Sequence, residues 1–136
     1  MKHFALLRYE KTIVFLTGAL GYGILELLWR GYTHPSMLLL GGVCFYNLYL
    51  YESKYKPLSL FSKCIAGGVL ITSLELITGS IVNIALNMNV WDYSTLPLNF
   101  LGQICASFFI LWTLLCIPVF FMCRKMHIFF NFIYTV

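Results

Sequence analysis

Apolar residues are gathered into four runs, at about 12–29, 36–51, 64–86 and 98–122, separated by short segments rich in Tyr, Pro, Asn and charge. A helix that spans a bilayer needs about 20 apolar residues. Three runs meet that length, and the second borrows from its flanks. The period-2 alternation of strands is nowhere visible. Backbone groups in lipid must be satisfied within their own segment, so each run is expected to be a helix. The pattern predicts an all-α integral membrane protein with four transmembrane helices, in one domain covering 1–136.

Composition supports this class. Of the 136 residues 60% are hydrophobic, 18% aromatic and 10% charged, with a mean hydropathy of +0.84. Soluble domains carry about 25% charged residues, and disordered chains are charged and poor in aromatics. The five cysteines form no CxxC or Cys/His cluster, so they read as buried packing residues rather than metal ligands.

Charge sets the orientation. With the N-terminus inside, Lys2, Arg8, Lys11, Lys54, Lys56, Lys63, Arg124 and Lys125 are cytoplasmic, and Arg30 alone is outside. That asymmetry follows the positive-inside rule and predicts both termini in the cytoplasm. The basic residues therefore serve as topology signals, and no nucleic-acid partner is expected. Glu26 and Arg30 follow the first run without a small-x-small cleavage site, so that run is expected to be retained rather than removed as a signal peptide.

The halves of the chain resemble each other. Leu25-Glu26-Leu27, an aromatic loop with a proline, and Leu40-Gly41-Gly42-Val43-Cys44 are echoed by Leu74-Glu75-Leu76, a longer loop ending at Pro97, and Leu101-Gly102-Gln103-Ile104-Cys105. Two spans per copy make this a parallel repeat of two helical hairpins. It would place Glu26 and Glu75 facing each other in the outer half of the bilayer, with Gly41 and Gly102 each opening a helix.

Intramembrane carboxyls usually face the bundle interior and mark sites. Glu26 has Arg30 four residues on, in the favoured orientation for a helical ion pair. Glu75 has no basic neighbour on its own helix. Its face carries Gly68, Thr72, Gly79 and Asn83, a small and polar stripe that lets another helix approach or lines a wet cavity. On the fourth run Asn99, Gln103 and Ser107 recur every four residues, predicting one polar helical face. Pro118 is expected to bend the far end of that helix or to end its regular hydrogen bonding. With Trp91, Asp92 and Tyr93 of the second outer loop, and His34 of the first, these residues define the candidate ligand- or ion-binding set: Glu26, Arg30, His34, Glu75, Trp91, Asp92, Tyr93, Asn99 and Gln103. No nucleophile–base pair stands out, so no catalytic residue, metal or cofactor is assigned.

The segments Leu74–Gly79, Val90-Trp91-Asp92-Tyr93-Ser94 and Pro97–Cys105, with Glu26–Gly42 upstream, resemble the ABC-transporter type IV (CmpB) membrane family, which has eukaryotic transmembrane relatives. The resemblance covers about residues 12–122 and implies a permease- or channel-like component of a bacterial cytoplasmic membrane. No P-loop occurs, so an ATP-driven role would need a partner transporter subunit. Membrane lipids and further copies of the chain are the other expected partners. Two alternatives use the same residues: a membrane enzyme or lipid-headgroup site opening outward, and an accessory subunit whose polar groups join helices.

Overall fold

The computed structural model describes the backbone of residues 2–135 and the side chains from Arg8 to Thr135. The side chain of Lys2, counted above as cytoplasmic, lies outside the described residues. Four α-helices carry the fold: α1 (Lys2–Arg30), α2 (Pro35–Lys54), α3 (Leu60–Gly79) and α4 (Ala106–Thr135). A π-helical segment, Ser80–Ala85, continues α3, and two short strands, β1 (Asn99–Phe100) and β2 (Ile104–Cys105), precede α4. Among the described residues three helical stretches are long and apolar enough to cross a membrane: Arg8–Arg30, Leu60–Ala85 and Ala106–Thr135. The chain is an all-helical membrane protein in its architecture. α2 is 20 residues long but carries Asn47, Glu52 and Lys54, which lower its hydropathy.

Helix starts follow local chemistry. Ser59 caps α3, its hydroxyl accepting the Ser62 N–H at 3.2 Å. His34 caps α2, its Nδ1 accepting the Ser36 N–H at 3.3 Å, with Pro35 in the first helical position where its missing N–H costs nothing.

The chain packs as two compact units. The first holds residues up to Pro57 together with those from Pro118 onward. In it, α1 and α2 meet at Gly18 and Gly41. A Cβ on Gly18 would lie 2.3 Å from the Phe45 Cβ and 2.7 Å from the Gly41 carbonyl oxygen. Such backbone proximity is how helices associate in lipid, where dispersion and small residues replace hydrophobic burial. Val14, Phe45, Tyr49, Cys123 and Phe130 form its core. Beside them the Glu10 carboxylate accepts the Tyr49 hydroxyl at 2.5 Å and the Tyr134 hydroxyl on its other oxygen. Arg124 pairs with buried Glu52 at 3.2 Å.

The second unit, Leu58–Ile117, departs from the sequence expectation in one place. The fourth helix begins at Ala106, and residues 98–105 form a tight antiparallel hairpin with Asn99 opposite Cys105 and Phe100 opposite Ile104. Local hydrogen bonding decides this. Asn99 donates to the Ser94 and Leu96 carbonyls at 3.2 and 2.8 Å and accepts the Gly102 N–H at 3.2 Å, holding the backbone away from a helix. Gly102 sits at φ +67°, which favours glycine. The expected helical face of Asn99, Gln103 and Ser107 therefore does not exist: the first two belong to the hairpin, and Ser107 is exposed on α4. The proposed equivalence of Gly41 and Gly102 fails for the same reason, since Gly41 lies within α2 and Gly102 in a turn. α4 also continues through Pro118 to Thr135 rather than ending near it.

Candidate functional site

Glu75 is the most deeply buried acidic side chain, 2% exposed, one turn before the end of α3. Its carboxylate is held on both oxygens. The Tyr93 hydroxyl donates to Oε1 at 2.8 Å, and the Trp112 indole N–H donates to Oε2 at 2.9 Å. Among the described residues no basic side chain pairs with it. One turn earlier on the same face, the Thr72 hydroxyl is buried with no hydrogen-bond partner among the described residues. The two donors are linked by a third ring: Phe108 stacks on Tyr93 with centroids 4.4 Å apart and 15° between planes, and lies 5.7 Å from Trp112.

One turn beyond Glu75 the support changes from ring to amide. Gly79 lets Gln103 and Trp91 close on α3, since a Cβ there would lie 2.4 Å from the Gln103 Oε1 and 2.9 Å from the Trp91 ring. Trp91 donates its indole N–H to the Gln103 carbonyl at 3.0 Å. Asn83, in the π-helical segment, donates to Gln103 Oε1 at 2.8 Å and accepts the Val90 N–H at 2.7 Å. π-helical turns within α-helices recur at functional sites. Here the turn aims Asn83 at the loop that carries Trp91 and Tyr93. The stripe read from sequence thus does two things: Gly68 admits Thr113 of α4, and Asn83 anchors the loop.

Asp92 is exposed and turned back on its own loop, accepting the Ser94 N–H at 2.8 Å and the Ser94 hydroxyl at 3.0 Å. These bonds, the backbone one foremost, hold its carboxyl below the ordinary range. Four non-glycine residues around this loop have left-handed backbones: Asn87, Asn89, Leu98 and Leu101. For the two leucines that conformation costs about 1–2 kcal/mol each, and it is held by the Asn99 brace described above.

In the other unit, Glu26 is 8% exposed and fully engaged. Arg30 pairs with its Oε1 at 2.6 Å and the Thr33 hydroxyl donates to Oε2 at 2.5 Å. The Arg30 guanidinium also lies 4.6 Å above the Tyr32 ring. Of the nine residues singled out from sequence, the structure brings Glu75 to Tyr93, Trp91 to Gln103, and Glu26 to Arg30. Asn99 braces the hairpin, and His34 serves as a helix cap. Sequence reading missed Trp112 and Phe108. A Trp inside an apolar run was the available signal, because a buried indole N–H needs an acceptor.

Residues 37–135 match the sequence model of a family described as Putative ABC-transporter type IV, CmpB. The chain belongs to this family. The match takes in α2 from Met37 onward, all of the Glu75 neighbourhood and α4, so this ABC-transporter-type membrane protein carries its buried carboxylate within the matched region. No curated protein and no solved structure matches the chain.

Proposed function

We propose that this CmpB-family protein is a permease- or channel-like transport component in which Glu75 is the charged site. The observation that carries this reading is a carboxylate 2% exposed whose two hydrogen-bond partners, Tyr93 and Trp112, are both neutral. Removing an ion from water costs several kcal/mol even after relaxation. Neutral donors recover part of that cost and leave the charge itself to be balanced. A moving cation or proton balances it in this reading, since a carboxyl inside a bundle without a charged partner is a mark of an ion pathway.

In this reading the four helices cross the membrane with both termini cytoplasmic, following the basic residues. The loop bearing Trp91 and Tyr93 faces outward, and several copies of the chain assemble around the pathway in a bacterial cytoplasmic membrane. A separate ATPase subunit would supply any ATP-driven step.

The test is proton flux into liposomes containing the purified protein and trapped pyranine, driven by a potassium diffusion potential. Dye response is expected with the wild-type chain and lost with Glu75→Gln at unchanged incorporation. Equal responses from the two proteins would overturn the transport reading. They would favour the alternative that the polar groups join helices, which the complete internal pairing of Glu26 supports.

A further inference from the structure

We infer that the Glu75 site takes a singly charged organic cation, of the ammonium or phosphonium type, with its apolar body against aromatic rings. The inference rests on the transport reading for the role of Glu75 and adds the chemical class of what binds there.

Three features of the site point to this class. First, the carboxylate supplies one negative charge, and no basic residue among the described ones is paired with it. Second, the groups that reach it belong to aromatic side chains, Tyr93 through its hydroxyl and Trp112 through its indole N–H. Tyr93, Phe108 and Trp112 form a continuous series of rings, with Tyr93 and Phe108 half-buried. A cation over such rings is attracted by their quadrupoles, most strongly when both are out of water. Third, the Thr72 hydroxyl is buried one turn from Glu75 with its hydrogen-bonding capacity unused. Buried polar atoms are satisfied in the great majority of cases, and each exception calls for an explanation such as a bound group.

The same donor set disfavours hydrated metal ions. Calcium takes about six to eight oxygen ligands, and magnesium needs near-octahedral oxygen geometry. Glu75 and Thr72 offer too few oxygens, since Asn83 and Gln103 spend theirs on each other and on the Val90 N–H. Among the described residues no group of acidic, His or Cys side chains could hold a metal ion. A weakly hydrated organic cation asks for fewer oxygens and gains from the rings.

The experiment is equilibrium dialysis of radiolabelled tetraphenylphosphonium against the purified full chain in detergent, with phenethylammonium, phenethyl alcohol and potassium as competitors. Saturable binding is expected, displaced by phenethylammonium and not by the neutral alcohol or by potassium at equal concentration. Glu75→Gln should weaken it at least tenfold, and Glu75→Asp should restore part of it. Phe108→Leu keeps apolar bulk and removes a π-face, so a loss of about fivefold is expected from the cation–π contribution alone. Should Glu75→Gln fail to fold, the half-buried Phe108 position still decides the matter.

Binding indifferent to both Glu75→Gln and Phe108→Leu would overturn the inference, as would equal competition by potassium. Glu75-dependent proton flux without any saturable tetraphenylphosphonium binding would remove the organic cation and leave the transport reading standing. Glu75-dependent binding without flux would do the reverse.

Discussion

The indole N–H of Trp112 on α4 and the carboxylate of Glu75 on α3 meet at 2.9 Å across 37 residues of sequence. Both side chains are buried, so the bond joins two membrane helices through a polar contact surrounded by apolar side chains. It also fixes the direction of the carboxylate, because Tyr93 approaches the other oxygen from the loop.

Replacing Trp112 by Phe removes the donor and leaves a buried acceptor oxygen without a partner. Hydrogen bonds to charged groups contribute about 1.5–3 kcal/mol, so destabilisation of that order is expected for the folded protein in detergent. A double-mutant cycle with Glu75→Gln should show coupling between the positions. Additive effects would mean that the two side chains act independently.

Gly18→Ala should part α1 from α2. The added Cβ meets the Phe45 Cβ at 2.3 Å and the Gly41 carbonyl oxygen at 2.7 Å, and a backbone oxygen cannot rotate away. Overpacking of this kind costs about 1–3 kcal/mol. Thermal unfolding followed by circular dichroism measures it, with Gly21→Ala, where a Cβ meets nothing within 4 Å, as the near-neutral comparison.

Tyr49→Phe and Tyr134→Phe each remove one donor from Glu10. Each should cost about 1.5–3 kcal/mol, and the pair should be non-additive because both act on one carboxylate. Unfolding of the single and double variants would read this directly. A double variant as stable as the wild type would show that the C-terminal turn of α4 is not tied to α1 by this contact.

Asp92 provides a pH prediction. Its carboxyl is lowered first by the Ser94 N–H and second by the Ser94 hydroxyl. A carboxyl lowered on folding favours the fold above its unfolded pKa, and that contribution is lost as pH falls through the folded value. Ser94→Ala removes the hydroxyl and keeps the N–H, so the Asp92 midpoint should move part of the way back up. Carbon-13 NMR titration of the side-chain carboxyl follows it. An unmoved midpoint would show that the hydroxyl contributes nothing to the lowering.

Much of the fold was legible along the chain. The first two apolar runs lie within α1 and α2 and the third overlaps α3 and its π-helical continuation, because a helix in lipid must be apolar over a known length. α1 nevertheless starts at Lys2, well before its run. The Glu26–Arg30 spacing announced its own ion pair, since residues four apart on a helix are neighbours whatever surrounds them. The error at 98–105 has an equally local cause. Every-fourth-residue polar spacing suits a helix, but the Asn99 side chain and the freedom of Gly102 favour a turn, and periodicity does not weigh one against the other.

The sequence by itself determined membrane class, helical content, family resemblance and the isolation of Glu75 from basic neighbours on its helix. These depend on composition and on contacts within a turn or two. What answers Glu75 was decided by tertiary structure alone. Tyr93 arrives on a loop held by Asn83 and Gln103, and Trp112 arrives on α4 at a height set by where the hairpin lets that helix begin. Helical periodicity is indifferent to the offset between two helices, and that offset settles which side chain meets the carboxylate.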